Sequence, residues 1–243
     1  LKSEKPAEAD SLIKEELISI EERGEFTEDD YAVLTNWYLR LDPAKYGEYK
    51  NAFREKYPQN DFFQTEKLNE IYSEKEIAKR LELLEEYKKT FPENENLVSA
   101  YDITANVYRD AKDFEGALKF LKENQNEVSL YRFYSIGNKA MEENADPKTV
   151  KAIAELGVER GRAELKNPDP AKKPFYLSDK GWKDETEQLL AYNLLVLGNA
   201  ENKLENNEEA LAHLEEAYQL ADSNETDINE LYGELLLEND KVE

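Results

Sequence analysis

The stretch "LLVLGNAENKLENNEEALAHLEEA", Leu194 to Ala217, decides the fold. Its apolar residues recur at three- and four-residue spacing, the pattern of an amphipathic helix. Gly198 is followed twelve residues later by Ala210, then by Leu214 and Ala217. Two antiparallel helices cross closely only where small residues face each other and large apolar residues fill the gaps beside them. The stretch therefore reads as a helix, a tight turn and a second helix packed back onto the first.

Upstream, "YDITANVYRDAKDFEGALKFL" (Tyr101 to Leu121) has the same design: Ala105, then Ala117 twelve residues on, then Leu121. A second repeat signal is "FREKYP" (Phe53 to Pro58) against "YKKTFP" (Tyr87 to Pro92), aromatic, three polar residues, aromatic, proline, 34 residues apart. Periods of this size point to stacked supersecondary units. Helical spacing predicts helices near 7–23, 27–41, 43–57, 60–72, 74–90, 96–111, 114–124, 128–143, 147–166, 180–205, 207–221 and 225–238. Gly24 ends the first. Thr27 with Glu28, Asp29 and Asp30 starts the second, with acids at its positive end. Asp42-Pro43 and Asp146-Pro147 each place a cap before a proline suited to a first helical turn. Nothing reads as a strand, so the chain is all-α.

The paired stretches resemble the tetratricopeptide repeat, a helix–turn–helix unit that stacks into a right-handed solenoid. Leu194, Leu197, Gly198, Ala210, Leu214 and Ala217 match its signature positions, as do Tyr101, Ala105, Tyr108, Phe114, Ala117 and Leu121. Glu201 stands where a tyrosine is usual, and Asn124 where a small residue is usual. A third unit around Phe133, Ile136, Gly137 and Ala140 has a second helix, 147–166, longer than the pattern. Residues 1–95 keep only the period and the aromatic–proline endings. The expected organisation is a degenerate repeat region over 1–95 and tetratricopeptide-like repeats over 96–243, as one continuous solenoid.

The resemblance implies a protein- or peptide-binding scaffold whose first helices line a concave face. That face would collect Asp102, Asn106 and Arg109, then Tyr131, Tyr134, Asn138 and Met141, then Tyr192, Leu195, Asn199 and Asn202. Asn106, Asn138 and Asn199 fall at equivalent places, where amides either bind an extended peptide backbone or bond a neighbouring helix. Some family members clamp a terminal carboxylate with lysines. Here those places hold Asp102, Tyr134 and Leu195, so that specificity is not implied.

A net charge of −23 excludes a general electrostatic affinity for nucleic acid. Acidity concentrates in Glu201–Glu243, with fourteen acids against two lysines, and solvated helix faces account for it. The absence of cysteine excludes disulfides and thiolate chemistry within the chain. No apolar run reaches the ~18 residues of a membrane span, and no signal peptide is visible. The first residue is Leu, which suggests a processed chain or an excised piece of a longer one.

No residue pattern carries a reaction. His213 is the only histidine and has no second His or Cys to share a metal or a proton. "DSNETDINELYG", from Asp222, imitates a calcium loop but has Asp227 at the turn-glycine place and Gly233 at the bidentate-Glu place. It reads as a capping turn between helices. No phosphate loop or nucleophile elbow occurs. The expectation is a chain without catalytic residues, metal or cofactor.

"NPDPAKKPFYLSDKGWKDE", Asn167 to Glu185, interrupts the helical pattern with three of the eight prolines. Three readings stand: a domain linker, a partner-binding loop presenting Phe175, Tyr176 and Trp182, or a packed arm whose aromatics fold back while Ser178 or Asp179 caps the next helix. The run from Lys173 to Ala217, and Asn69 to Leu97, are also similar to the helical region beside the thioredoxin fold of some secreted bacterial thiol–disulfide oxidoreductases. That resemblance implies an accessory domain whose Cys-x-x-Cys chemistry lies outside this chain, in a periplasmic or cell-envelope setting. The fifteen Tyr, nine Phe and two Trp raise a third class, a glycan-binding helical module. Packing between helices is the competing use, and Trp37 and Tyr38 are expected in the core.

Overall fold

The computed structural model describes residues 6–92, 94, 96–170, 173–221 and 225–238, with side chains from Ser11 onward. Among these residues the regular structure is twelve α-helices and no strand: α1 Pro6–Arg23, α2 Glu28–Leu41, α3 Pro43–Lys56, α4 Asp61–Ser73, α5 Ile77–Thr90, α6 Leu97–Asp110, α7 Phe114–Glu123, α8 Leu130–Glu142, α9 Pro147–Lys166, α10 Asp179–Lys203, α11 Asn207–Leu220 and α12 Thr226–Glu238. All twelve expected helices form, with ends shifted by three residues or fewer. The turn around Asp222–Asn224 lies outside the described residues.

Side-chain chemistry sets the ends. Gly24 adopts φ +73°, the left-handed conformation that stops α1. Thr27 and Asp30 form a reciprocal capping box on α2, and the Asp42, Asp146 and Ser178 side chains accept backbone N–H groups of α3, α9 and α10. α5 begins later than its periodicity predicts. The Glu74 carboxylate takes the N–H groups of Lys75 and Glu76, and the buried Arg80 guanidinium holds the carbonyls of Tyr72, Glu74 and Ile103. These bonds fix an extended turn where the pattern alone would continue a helix.

The chain divides between Asn69 and Glu70 into two compact units. In the first, α2 packs against α3 over a core of Leu17, Ile20, Leu34 and Tyr38, with Trp37 and Tyr49 packed against it. A polar knot ties α1, α2 and α3 together. The Glu21 carboxylate accepts from Lys45 Nζ at 2.6 Å and from the Tyr38 and Tyr49 hydroxyls at 2.8 Å each. Burial pushes the Glu21 carboxyl up, but those hydrogen bonds outweigh it and hold the group below the ordinary carboxylate range. Beside the knot, Tyr31 stacks on Phe53, at 5.7 Å between ring centres.

In the second unit α6 packs on α7 and α8, α8 on α9 and α10, and α10 on α11 and α12. The turns α6–α7, α8–α9 and α10–α11 share one geometry. Lys112, Asn144 and Glu205, each two residues past its helix, take φ between 55° and 64°. Each donates its N–H to a carbonyl three residues back, and the next residue donates to one five residues back: Asp113 to Tyr108, Ala145 to Ala140, Asn206 to Glu201. This is the Schellman closure of a helix, made three times. The two aromatic–proline endings also agree. Tyr57 and Phe91 both cap with φ near −130° and ψ near 60°, each after a fully buried aromatic four residues earlier.

The small residues sit at the crossings. A Cβ on Gly198 would lie 2.7 Å from Leu214 Cγ, and Ala105, Ala117 and Ala210 are completely buried. α9 carries glycines one turn apart. A Cβ on Gly157 would lie 2.1 Å from Asn193 Oδ1 and 2.8 Å from Phe133 Cβ; one on Gly161 would lie 3.2 Å from Leu190. The extra length of α9 is thus used between α8 and α10.

Gly157→Ala is expected to destabilise the chain by about 1–3 kcal/mol through overpacking, although alanine is the better helix former. Gly47→Ala, with open space around its Cβ, should stabilise by about 0.5–1 kcal/mol. Urea midpoints of the two variants should move in opposite directions. Separately, exposed Glu205 sits left-handed, so Glu205→Gly should raise the midpoint by an amount equivalent to about 0.5–1 kcal/mol.

Candidate functional site

The open surface with the best-defined side chains lies where α8 and α10 meet. Gly137 lets the helices approach, since a Cβ there would be 3.1 Å from Val196 Cγ1. Tyr134 of α8 and Tyr192 of α10 consequently stack, with ring centres 5.0 Å apart and 25° between planes. Tyr131, one turn before Tyr134, extends the row at 6.0 Å and is half exposed. Gln188 Nε2 donates to the Tyr192 hydroxyl at 2.9 Å and to Glu225 Oε1 at 2.7 Å, fixing the far end of the shelf. Burial, then the charges of neighbouring Asp227, Glu142 and Glu225, push the Tyr134 hydroxyl up. Burial and a hydrogen bond with Glu225 do the same to Tyr192. Both tyrosines are therefore neutral hydroxyls in a negative field, suited to stacking and hydrogen bonding and unsuited to acting as bases.

The other predicted contact residues divide by helix. On α6 they are engaged in a seam with α8. Asp102 accepts from the Ser129 N–H at 2.9 Å, from its hydroxyl and from Arg132; Asn106 Oδ1 accepts from Arg132 Nη1; Arg109 reaches Ser135 Oγ at 3.2 Å and pairs with Asp110. The hold of Asp102 on Ser129 also explains why α8 starts at Leu130, two residues later than the periodicity predicts. Asn138 donates to Glu142 one turn along its own helix. Asn199 and Asn202 are half-buried on α10 and make no side-chain hydrogen bond among the described residues. Leu195 packs into the Leu211–Leu214–Leu235 cluster beneath α12. Of the three equivalent asparagines, one therefore bonds a neighbouring helix, one its own helix and one neither.

In the proline-rich arm, the packed reading holds for part of the chain only. Leu177 donates its N–H to Pro174 O, which puts Phe175 and Tyr176 at the outer corners of a tight turn. They are 97% and 71% exposed and touch each other edge to face. Trp182, on the first turns of α10, is half-buried. It lines a cleft of about 380 Å³ with Leu165, Pro168, Pro170, Lys173 and Lys183.

Sequence reading missed one polar centre. Glu201, at the place where the repeat pattern has tyrosine, is 3% exposed. Its carboxylate takes Lys151 Nζ at 2.7 Å and Asn206 Nδ2 at 2.6 Å, joining α9, α10 and the α10–α11 turn. The departure from the pattern was the signal; its partner Lys151, one lysine among many, had none. Burial raises the Glu201 carboxyl, yet the bonds from Asn206 and Lys151 outweigh it and the group lies below its ordinary value. His213 nearby is half-buried, which pushes its imidazole down and favours the neutral form. Among the described residues, no group of three or more His, Cys, Asp or Glu is placed to hold a metal ion, and no helix is long and apolar enough to cross a membrane.

No protein-family model matches the chain, and no curated protein matches it.

A carboxyl depressed in the folded state contributes stability above its unfolded pKa and loses that contribution as pH falls through its folded value. Glu201→Gln should accordingly lower stability near pH 7 by about 1–3 kcal/mol. The difference from wild type should shrink as pH drops below about 4. Urea midpoints measured from pH 7 to 3 check both.

Proposed function

We propose that the chain is a non-catalytic peptide- or protein-binding scaffold built as a tetratricopeptide-like solenoid. Three features support the architecture. The even-numbered helices from α6 to α12 are neighbours in order, the three intervening turns have the same closure, and two endings 34 residues apart share their backbone conformation. The single observation that carries the function is the tyrosine shelf, Tyr131–Tyr134–Tyr192, held by Gly137 and Gln188 with Tyr131 half exposed and Tyr134 and Tyr192 partly so.

Binding is stoichiometric. Tyrosines supply contact area at little cost in side-chain entropy, and their hydroxyls accept or donate to a peptide backbone. Glu225 and Asp227 beside the shelf have no cationic partner among the described residues, and the whole chain carries −23. A partner segment bearing lysine or arginine next to apolar side chains fits that field and is steered towards it.

A displayed random-peptide library tests the reading. Selected peptides should be enriched in basic residues and should bind more weakly as salt rises. Tyr134→Ala and Tyr192→Ala should each weaken them by about tenfold or more, with helix content unchanged by circular dichroism. Selected peptides indifferent to both substitutions would place binding elsewhere.

A further inference from the structure

The cleft at the root of the arm has a chemistry unlike the tyrosine shelf. Its walls are the rings of Pro168 and Pro170, the Leu165 side chain and the Trp182 indole. Its charged groups are already spoken for. Glu164 pairs with Arg160 at 2.6 Å, Lys173 with Asp179, and Lys183 with Glu187 at 2.8 Å; the Thr186 hydroxyl donates to Trp182 O at 2.8 Å. Among the described residues the indole N–H of Trp182 has no acceptor. Trp182 also lines a second cleft, of about 260 Å³, with Asn126, Arg160 and Asn167.

We infer that this cleft binds an extended, proline-bearing peptide segment, with a proline ring against Trp182 and a peptide carbonyl accepting the indole N–H. The inference rests on the reading of the chain as a peptide-binding module and adds a second site to it. The observations select this ligand in three steps. Because the charges are mutually neutralised, a charged ligand would have to break an existing ion pair, which favours an uncharged one. A saccharide ring would bring several hydroxyls against a mainly apolar lining, and each dehydrated hydroxyl left unpaired is costly. A proline segment brings a flat apolar ring and a carbonyl, and it has no N–H to leave unsatisfied. Its polyproline II conformation is also preformed, so little entropy is lost on binding. Phe175 and Tyr176 lie in the chain between the lining residues Lys173 and Asp179, and are the exposed apolar surface along which the segment would continue.

The test uses the whole chain and a dye-labelled decaproline, with a glycine–serine peptide of equal length and cellohexaose as comparisons. The chain has two tryptophans, hence two indole N–H signals in a proton–nitrogen correlation spectrum. Decaproline should shift the Trp182 signal and leave that of Trp37 in place. In fluorescence anisotropy it should bind at least tenfold more tightly than the glycine–serine peptide. Trp182→Phe keeps an aromatic ring, smaller than indole, and removes the donor, and should weaken binding at least fivefold; Tyr134→Ala should leave it unchanged. An unmoved Trp182 signal, equal binding of the two peptides, or a shift with cellohexaose alone would each overturn the inference. Loss of shelf-selected peptides on Tyr134→Ala with decaproline binding intact separates the two sites. If decaproline binds while the shelf peptides ignore Tyr134, only the shelf reading fails.

Discussion

Three helices meet in the second unit because side chains are missing where they cross. Gly137 admits Val196, Gly157 admits the Asn193 amide and Phe133, and Gly161 admits Leu190. These contacts bring α8, α9 and α10 to backbone-limited separation, and a methyl group at any of the three must displace an atom now in van der Waals contact. The fully buried Asn193 spends its Nδ2 donor on Leu189 O at 2.8 Å, while its Oδ1 faces the Gly157 backbone without a hydrogen-bond partner. A weak Cα–H contact there is the compensation available. The tyrosine shelf depends on the same spacing, because Tyr134 reaches Tyr192 only if α8 and α10 are close.

The helices were legible because their signals are local. Periodicity, the Asp-Pro starts and the Thr27 box each act within four residues, and each forms as the sequence predicts. At the starts of α5 and α8, which lie three and two residues later than the periodicity predicts, the cause is a contact from elsewhere in the chain. Arg80 reaches back to Tyr72 and Glu74 and forward to Ile103, and Asp102 captures Ser129 from 27 residues away. The three left-handed turn residues were invisible for another reason. Lysine, asparagine and glutamate occupy positions that favour glycine. The closure bonds and packing of the flanking helices outweigh the local strain there, and composition gives no sign of it.

The candidate site was half legible. A helical register places Tyr131, Tyr134, Asn138, Tyr192 and Asn199 on one face without knowledge of their neighbours. It cannot say which of these side chains a neighbour has already claimed. Asn106 and Arg109 share the face by register, but Arg132 and Ser135 on α8 supply complementary groups and turn that part into a seam. The arm shows the reverse. Its sequence left a linker, a binding loop and a packed arm open, and the Pro174–Leu177 turn leaves Phe175 and Tyr176 in solvent while Trp182, on α10, is half-buried.

Charge pairing separates the two surfaces more sharply than shape does. At the arm every lysine lining the cleft has its acid, so the local field is short-ranged and, on the proposed reading, a ligand would be selected by ring shape and one hydrogen bond. At the shelf Glu225 and Asp227, without a cationic partner among the described residues, add to the net charge of −23, so the field extends outward over about a Debye length, ~8 Å at physiological salt. Association at the shelf should thus be steered by charge and screened by salt, while the cleft should be nearly indifferent to ionic strength. A protein that uses both would meet the two requirements with different segments, one basic and one proline-bearing.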